Sequence, residues 1–185
     1  LILIGIVFSK SALTKSEIGQ YETVLFLSGA VSFFWVNGLI QGFLPASTKY
    51  AGNEKSGDLF NVFYLLFFLS VLASLFVLVF EHAISGFLLK SSGVPFLKYL
   101  IIYLLLSAPS GLVEYIYLIK EKSKSLLLYG IISYFLMFLL VVSPAWWGSG
   151  LEYCLAGLVL SAVIRFVWTF ILLLKYSRPE FDSGF

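Results

Sequence analysis

The stretch "APSGLVEYIYLIKEKSK", residues 108–124, places a proline and a carboxylate, Glu114, in an apolar run that ends in a basic break. Steps of three and four residues put Tyr103, Ser107, Ser110, Glu114, Tyr117 and Glu121 on one face of a helix. Leu104, Leu105, Leu112, Val113 and Ile116 cover much of the remainder. Pro109 breaks the backbone ladder, which a membrane tolerates where neighbours or a wet cavity satisfy the freed carbonyl. A helix facing lipid on all sides would carry no such polar stripe.

The rest of the chain decides which solvent surrounds that helix. Hydrophobic residues make up 60% of it and charged residues 12%, with a mean hydropathy of +0.99. A soluble domain is about half apolar and about a quarter charged, so an all-α integral membrane protein is expected. The net charge of +2 is too small to suggest a nucleic-acid partner. One cysteine, Cys154, excludes an internal disulfide, and with one histidine, His82, no metal-binding cluster is expected.

Apolar runs predict helices over residues 22–47, 59–80, 97–119, 126–144 and 153–175, each near the length a span requires. "LILIGIVF", residues 1–8, would cover only about 12 Å of a roughly 30 Å hydrocarbon core. It lacks a basic flank and a small-residue cleavage site, so it reads as the tail of a truncated first helix and the chain as a fragment. A six-helix bundle results. Tyr50, Tyr99, Tyr129, Trp146, Trp147, Tyr153 and Tyr176 fall near helix ends, where amphipathic rings favour the headgroup region.

The cations favour one orientation. Lys10, Lys15, Lys90 and Lys98 lie on one side, and the larger set Lys49, Lys55, Lys120, Lys122, Lys124, Lys175 and Arg178 on the other. The positive-inside rule puts the larger set in the cytoplasm, with the N-terminus. Residues 81–96 are too broken to span and lie along the outer interface or form an ordinary loop.

Polar residues within the spans are the candidate functional groups. Glu114 either lines a polar passage or snorkels towards Lys120 and Lys122. Arg165 lies near the middle of its span, where a charge costs about 2.5–3.5 kcal/mol on insertion scales, so it should face protein or water. It shares a face with Ser161 and Trp168 and is a candidate partner for Glu114, although their depths differ by about 7 Å at helical rise. Such a pair marks a transport pathway or locks two helices together. In "FFWVNGLIQGFLPA", residues 33–46, Asn37 and Gln41 share a face, as interhelical glue or as part of a substrate wall. Gly38 and Gly42 beside them are expected to permit close helix approach, and Pro45 to kink or end the helix. No phosphate loop, zinc motif or nucleophile–base spacing is present, so no catalytic residue and no cofactor is expected.

"SALTKSEIGQYETVLFLSGAVSFFWVNGLIQGFLPAS", residues 11–47, resembles the start of polysaccharide biosynthesis proteins of the Wzx oligosaccharide flippase type. The resemblance rests on Leu13, Thr14, Glu17, Gly19 and Tyr21, followed by a glycine-bearing helix. "PSGLVEYIYLIKEKSKSLLLYGIISY", residues 109–134, is similar to the fourth helix, basic loop and fifth helix of such flippases. Their superfamily also holds lipid II flippases and multidrug and toxin extrusion antiporters. The resemblance implies the N-terminal lobe of a two-lobe transporter in the bacterial cytoplasmic membrane, surrounded by membrane lipids and working with a C-terminal lobe missing here. It further implies a lipid-linked, undecaprenyl-pyrophosphate oligosaccharide as substrate and surface polysaccharide biosynthesis as the purpose. Arg165 would meet the pyrophosphate, Glu114 a coupling cation or proton, and Asn37, Gln41, Ser107, Ser110, Tyr103 and Tyr117 the sugar. Wzx-type cavities tend to be cationic, whereas here Glu114 opposes Arg165 in sign. A cation-coupled drug antiporter and a non-transporting scaffold are the competing expectations.

Overall fold

The computed structural model describes residues 2–48, 58–89 and 93–177. Lys49, Tyr50, Lys55, Lys90 and Arg178, used above for orientation and interface, lie outside them. The described residues form helices α1 (Ile2–Phe8), α2 (Lys15–Thr48), α3 (Asp58–Val79), α4 (Glu81–Ile84), α5 (Leu97–Ser110), α6 (Leu112–Ile119), α7 (Ser123–Trp146) and α8 (Leu151–Tyr176). A turn of π-helix, Ser85–Leu89, follows α4. Among the described residues, 4 helices have the length and composition to cross a membrane, or up to 5 if the bent α2 counts as one span. The fold is an all-α membrane bundle.

The start of α2 explains the pattern at residues 13–21. The Thr14 amide and hydroxyl both donate to Glu17 Oε2 at 2.8 Å, and the Glu17 amide donates back to Thr14 Oγ1 at 3.3 Å. This capping box satisfies amide groups that a helix start leaves open, and such a cap is worth about 1 kcal/mol. Leu13 packs on the core and Tyr21 lies buried, edge-on to Phe8 with centroids 4.9 Å apart. Further along, α2 bends by 44° between Lys15–Phe33 and Trp35–Gly42. Ser32 donates back to the Ser28 carbonyl at 2.7 Å, and the Trp35 indole to the Val31 carbonyl at 2.9 Å. Side chains competing for ladder carbonyls bend helices. Pro45, expected to kink or end the helix, lies within α2 beyond that bend.

The span expected at residues 97–119 is present as Leu97–Ile119, with one local turn at Gly111 dividing it into α5 and α6. Pro109 has no N–H to donate and its ring crowds the Leu105 carbonyl. The next amides tighten, with Gly111 N–H on the Ala108 carbonyl at 3.2 Å, and α6 begins at Leu112. α6 closes in a paired cap: Lys122 N–H reaches the Tyr117 carbonyl at 2.9 Å and Glu121 N–H the Leu118 carbonyl at 3.0 Å. Glu121 takes φ 52°, a position usually given to glycine. It therefore leaves the helix instead of continuing the polar stripe. Left-handed geometry costs a non-glycine residue about 1–2 kcal/mol, and glycine adds back about 0.4–1 kcal/mol of unfolded-chain entropy. Glu121→Gly should thus stabilise the chain by roughly 0.5–1 kcal/mol, seen as a higher unfolding temperature in detergent.

Two apolar cores lie along the bundle. The first gathers Phe8, Tyr21, Val24, Leu100, Leu104, Val141, Leu155 and Leu158. The second gathers Phe60, Phe63, Leu66, Leu112, Val113, Ile116, Tyr129, Leu172 and Leu173, with Trp35 packing on both. Leu104, Leu112, Val113 and Ile116 thus bury themselves between helices. Between the two cores runs a polar seam: Ser70 in α3, Ser110 at the end of α5, Ser133 in α7, and Ser161, Arg165 and Thr169 in α8. A buried hydroxyl away from water costs free energy unless it is hydrogen-bonded. Ser70 and Ser161 donate to the Leu66 and Leu158 carbonyls of their own helices.

The expected close approach at Gly38 and Gly42 is not formed among the described residues. Both are exposed, and a Cβ on either would meet nothing within 4 Å. Leu39 and Ile40 supply the packed side of that half-helix instead. The close approach falls at Gly157 in α8, where a Cβ would lie 2.0 Å from the Leu140 carbonyl oxygen of α7. Gly157 carries this contact, and Ser161 one turn on completes the small-xxx-small spacing.

Candidate functional site: an arginine in the polar seam

α8 carries Arg165 where the first core has ended, at Leu158, and the second resumes, at Phe166. Its guanidinium faces α6 and α7 together. Arg165 Nε donates to the Tyr129 hydroxyl at 3.1 Å, and Nη2 lies 3.9 Å from Glu114 Oε1. The second distance is an ion pair but too long for a hydrogen bond. The apparent depth difference between the two residues is bridged by their long side chains. Tyr103 of α5 and Tyr134 of α7 lie in the field of the same guanidinium.

A three-ring cluster fixes this geometry. Tyr129 stands edge-on to Trp168, with centroids 5.3 Å apart at 72°, and lies 6.1 Å from Tyr117. The Trp168 indole donates to the Tyr117 hydroxyl at 3.1 Å. Tyr129 is 1% exposed, so its hydroxyl cannot swing to another donor without disturbing the rings. Thr169, one turn from Arg165, donates to the Arg165 carbonyl at 2.9 Å and approaches the Ser110 carbonyl at 3.3 Å. The backbone under the guanidinium is thereby tied to the end of α5.

The candidate residues are distributed unevenly. Glu114 and Arg165 are together, their side chains 43% and 21% exposed, so the pair is embedded on one side and open on the other. Tyr103 lies near them, half-buried. Ser110 is fully buried, its hydroxyl turned onto the Ser107 carbonyl at 2.7 Å, and Ser107 is half-buried. Tyr117 is buried within the ring cluster. Asn37 and Gln41 are exposed on α2, on the side of the half-helix away from buried Ile40. Tyr129, placed by its sequence position near a membrane interface, is the residue sequence reasoning missed. Its four-residue spacing to Ser133 marked a second polar face in α7.

Cavities of about 530 Å³ and 480 Å³ lie elsewhere, one beside Tyr21 and Glu22 between α1 and α2, the other an apolar groove at Trp35 between α2 and α3. The Arg165 pair sits in neither. It can bind an anion or hold a carboxylate.

This bundle, with a half-enclosed ion pair in the polar seam between its two apolar cores, defines a multi-pass all-α membrane protein. Over residues 12–184 the chain matches the family described as polysaccharide biosynthesis protein, and it belongs to that family. Searches among curated proteins and among solved structures gave no significant match. Membership gives the chain a membrane-associated role in polysaccharide synthesis or export.

Proposed function

We propose that the chain flips a lipid-linked oligosaccharide, carried on undecaprenyl pyrophosphate, across the bacterial cytoplasmic membrane by alternating access. The observation that carries this reading is the half-open Arg165–Glu114 pair in the polar seam. A cation placed there is expensive, and such groups mark substrate pathways or tight locks. Full enclosure would favour a lock; the 43% exposure of Glu114 favours a passage. Arg165 would hold a phosphate oxygen through a charge-assisted hydrogen bond in exchange for Glu114. Glu114, released, would take up a cation or proton. Tyr103 and Tyr134 would offer hydroxyls to the headgroup, and Asn37 and Gln41 would meet sugar from α2. On the family resemblance, the bundle would rock against a second one.

Loss of the gene is expected to remove surface polysaccharide and leave lipid-linked sugar on the cytoplasmic leaflet; unchanged surface polysaccharide would overturn the reading. Thiol labelling tests the passage itself, in protein whose own buried thiol is removed by Cys154→Ala. Glu114→Cys and Arg165→Cys should react with a membrane-impermeant reagent and be protected by lipid-linked sugar. Ser110→Cys should stay unreactive, because Ser110 is buried against α8.

One observation favours a second reading. Arg165, Tyr129, Tyr117 and Trp168 are joined through hydrogen bonds and ring contacts across three helices. A scaffold whose ion pair only locks α6 to α8 would use the same contacts. It predicts no labelling at either charged position.

A further inference from the structure

The end of the bundle where α6 and α8 finish and α7 begins carries cations that the transport reading does not use. Lys122, in the α6–α7 turn, donates from Nζ to the Tyr176 hydroxyl at 2.6 Å and lies 4.6 Å from that ring's centroid. Lys175 reaches the same ring at 5.4 Å. Lys120 and Lys124 flank them, and Lys124 and Lys175 are exposed. The paired cap at the end of α6 fixes the backbone of Lys122, so this convergence is built into the fold.

Two ammonium groups over one ring repel each other, and a cation–π contact returns only about 0.5–1 kcal/mol at an exposed site. Among the described residues no carboxylate lies within ion-pair distance of either lysine. Glu121, next to Lys122 in the chain, is exposed on the turn. The Tyr176 oxygen accepts from Lys122, which leaves its own O–H free to donate. Among the described residues, two cationic donors and one phenolic donor thus converge without an anion. Tyr176 is also the kind of ring that sits at headgroup level.

We propose that Lys122, Lys175 and Tyr176 form a site for the phosphate of an anionic phospholipid, with Lys120 and Lys124 adding longer-range attraction. A phosphodiester supplies one negative charge and enough acceptor oxygens for all three donors. Charge complementarity and position together favour a membrane lipid: the site lies at the ends of apolar helices beside an interfacial kind of ring, and acyl chains would run along α7 and α8. A lipid bound there clamps the α6–α7 turn to the end of α8.

The test uses the whole protein in neutral detergent, followed by thermal unfolding. It is titrated with phosphatidylglycerol, with phosphatidylcholine of the same chain length, and with inorganic phosphate. Phosphatidylglycerol alone should raise the unfolding temperature, and added salt should weaken the effect. Lys122→Gln and Lys175→Gln should each weaken binding roughly fivefold, and the double variant should lose the response. Lys98→Gln at the opposite end should keep it, as should Lys122→Arg with Lys175→Arg. Equal responses to the two lipids would overturn the proposal, as would a double variant that responds like the unchanged protein. An equal response to inorganic phosphate would also overturn it, leaving a free-anion site. Should the double variant not fold, Lys175→Gln alone, which alters an exposed side chain, replaces it: a weakened response supports the site and an unchanged one overturns it.

Discussion

Gly157→Leu is expected to force α7 away from α8 and leave little folded protein in the membrane. Even alanine meets the obstacle. Its Cβ would lie 2.0 Å from the Leu140 carbonyl oxygen, 2.6 Å from the carbonyl carbon and 3.3 Å from the Val141 nitrogen. All three are backbone atoms, so no side chain can rotate out of the way. Alanine would gain about 1 kcal/mol over glycine from helix propensity, but overpacking costs about 1–3 kcal/mol even when side chains can yield. Here a helix must move, and with it the polar seam it seals. Membrane helices depend on such packing, since lipid supplies no hydrophobic drive for association. Unfolding temperature and yield in detergent measure the effect. Gly38→Leu, at an exposed glycine with open space around it, is the matched control and should change neither. Equal melting of Gly157→Leu and the unchanged protein would show that α7 and α8 are not in backbone contact.

Arg165→Ala should abolish polysaccharide export while the bundle persists. The stability loss is limited because the partners are unequally dependent on the arginine. Tyr129 loses one donor inside the ring cluster, a loss of about 1–3 kcal/mol if its hydroxyl stays unsatisfied. Glu114 is 43% exposed and 3.9 Å away, so it keeps access to other partners. The proposed transport would have no such reserve, since among the described residues no other cation lies mid-span. Arg165→Lys should rescue poorly: an ammonium carries the charge without the planar fork that serves Tyr129 and an anion together. Pairing Arg165→Gln with Glu114→Gln separates the two proposed roles. A flippase stays dead in that background, whereas a structural lock regains function once both charges are gone. Export by Arg165→Ala at the unchanged rate would remove this residue from the mechanism.

Hydropathy made the helices legible because lipid permits little else: an apolar run of span length must satisfy its own backbone. The cap at Thr14 and Glu17 was equally local, although its reason, two side chains sharing open amides, emerged only in three dimensions. Glu114 and Arg165 could be singled out because charge is so costly mid-span. What sequence could not supply was partners. Gly38 and Gly42 carry the spacing of a packing motif, yet the contact belongs to Gly157, because only the arrangement of α7 and α8 decides which glycine meets a backbone. Tyr129 lies early in α7 and therefore looked interfacial; the approach of Trp168 and Tyr117 makes it an interior support for Arg165. Glu121 fitted the helical count of the polar stripe, but a cap turned it out of the helix first.

The turn at Pro109 and Gly111 also has a mechanical consequence. Tyr99 and Lys98 at the start of α5 hold Glu152 of α8, at 2.8 Å and 2.6 Å, while Thr169 ties α8 to the Ser110 carbonyl at the end of α5. α5 is thus pinned at both ends. α6, 8 residues long, carries Glu114 and continues from α5 through helical dihedrals at Gly111, with Leu112, Val113, Ile116 and Tyr117 buried in the second core. α5, α6 and α8 thus form one braced frame, in which Glu114 and Arg165 face each other from members fixed to the same tie points. At 3.9 Å the two charges attract without sharing a hydrogen bond.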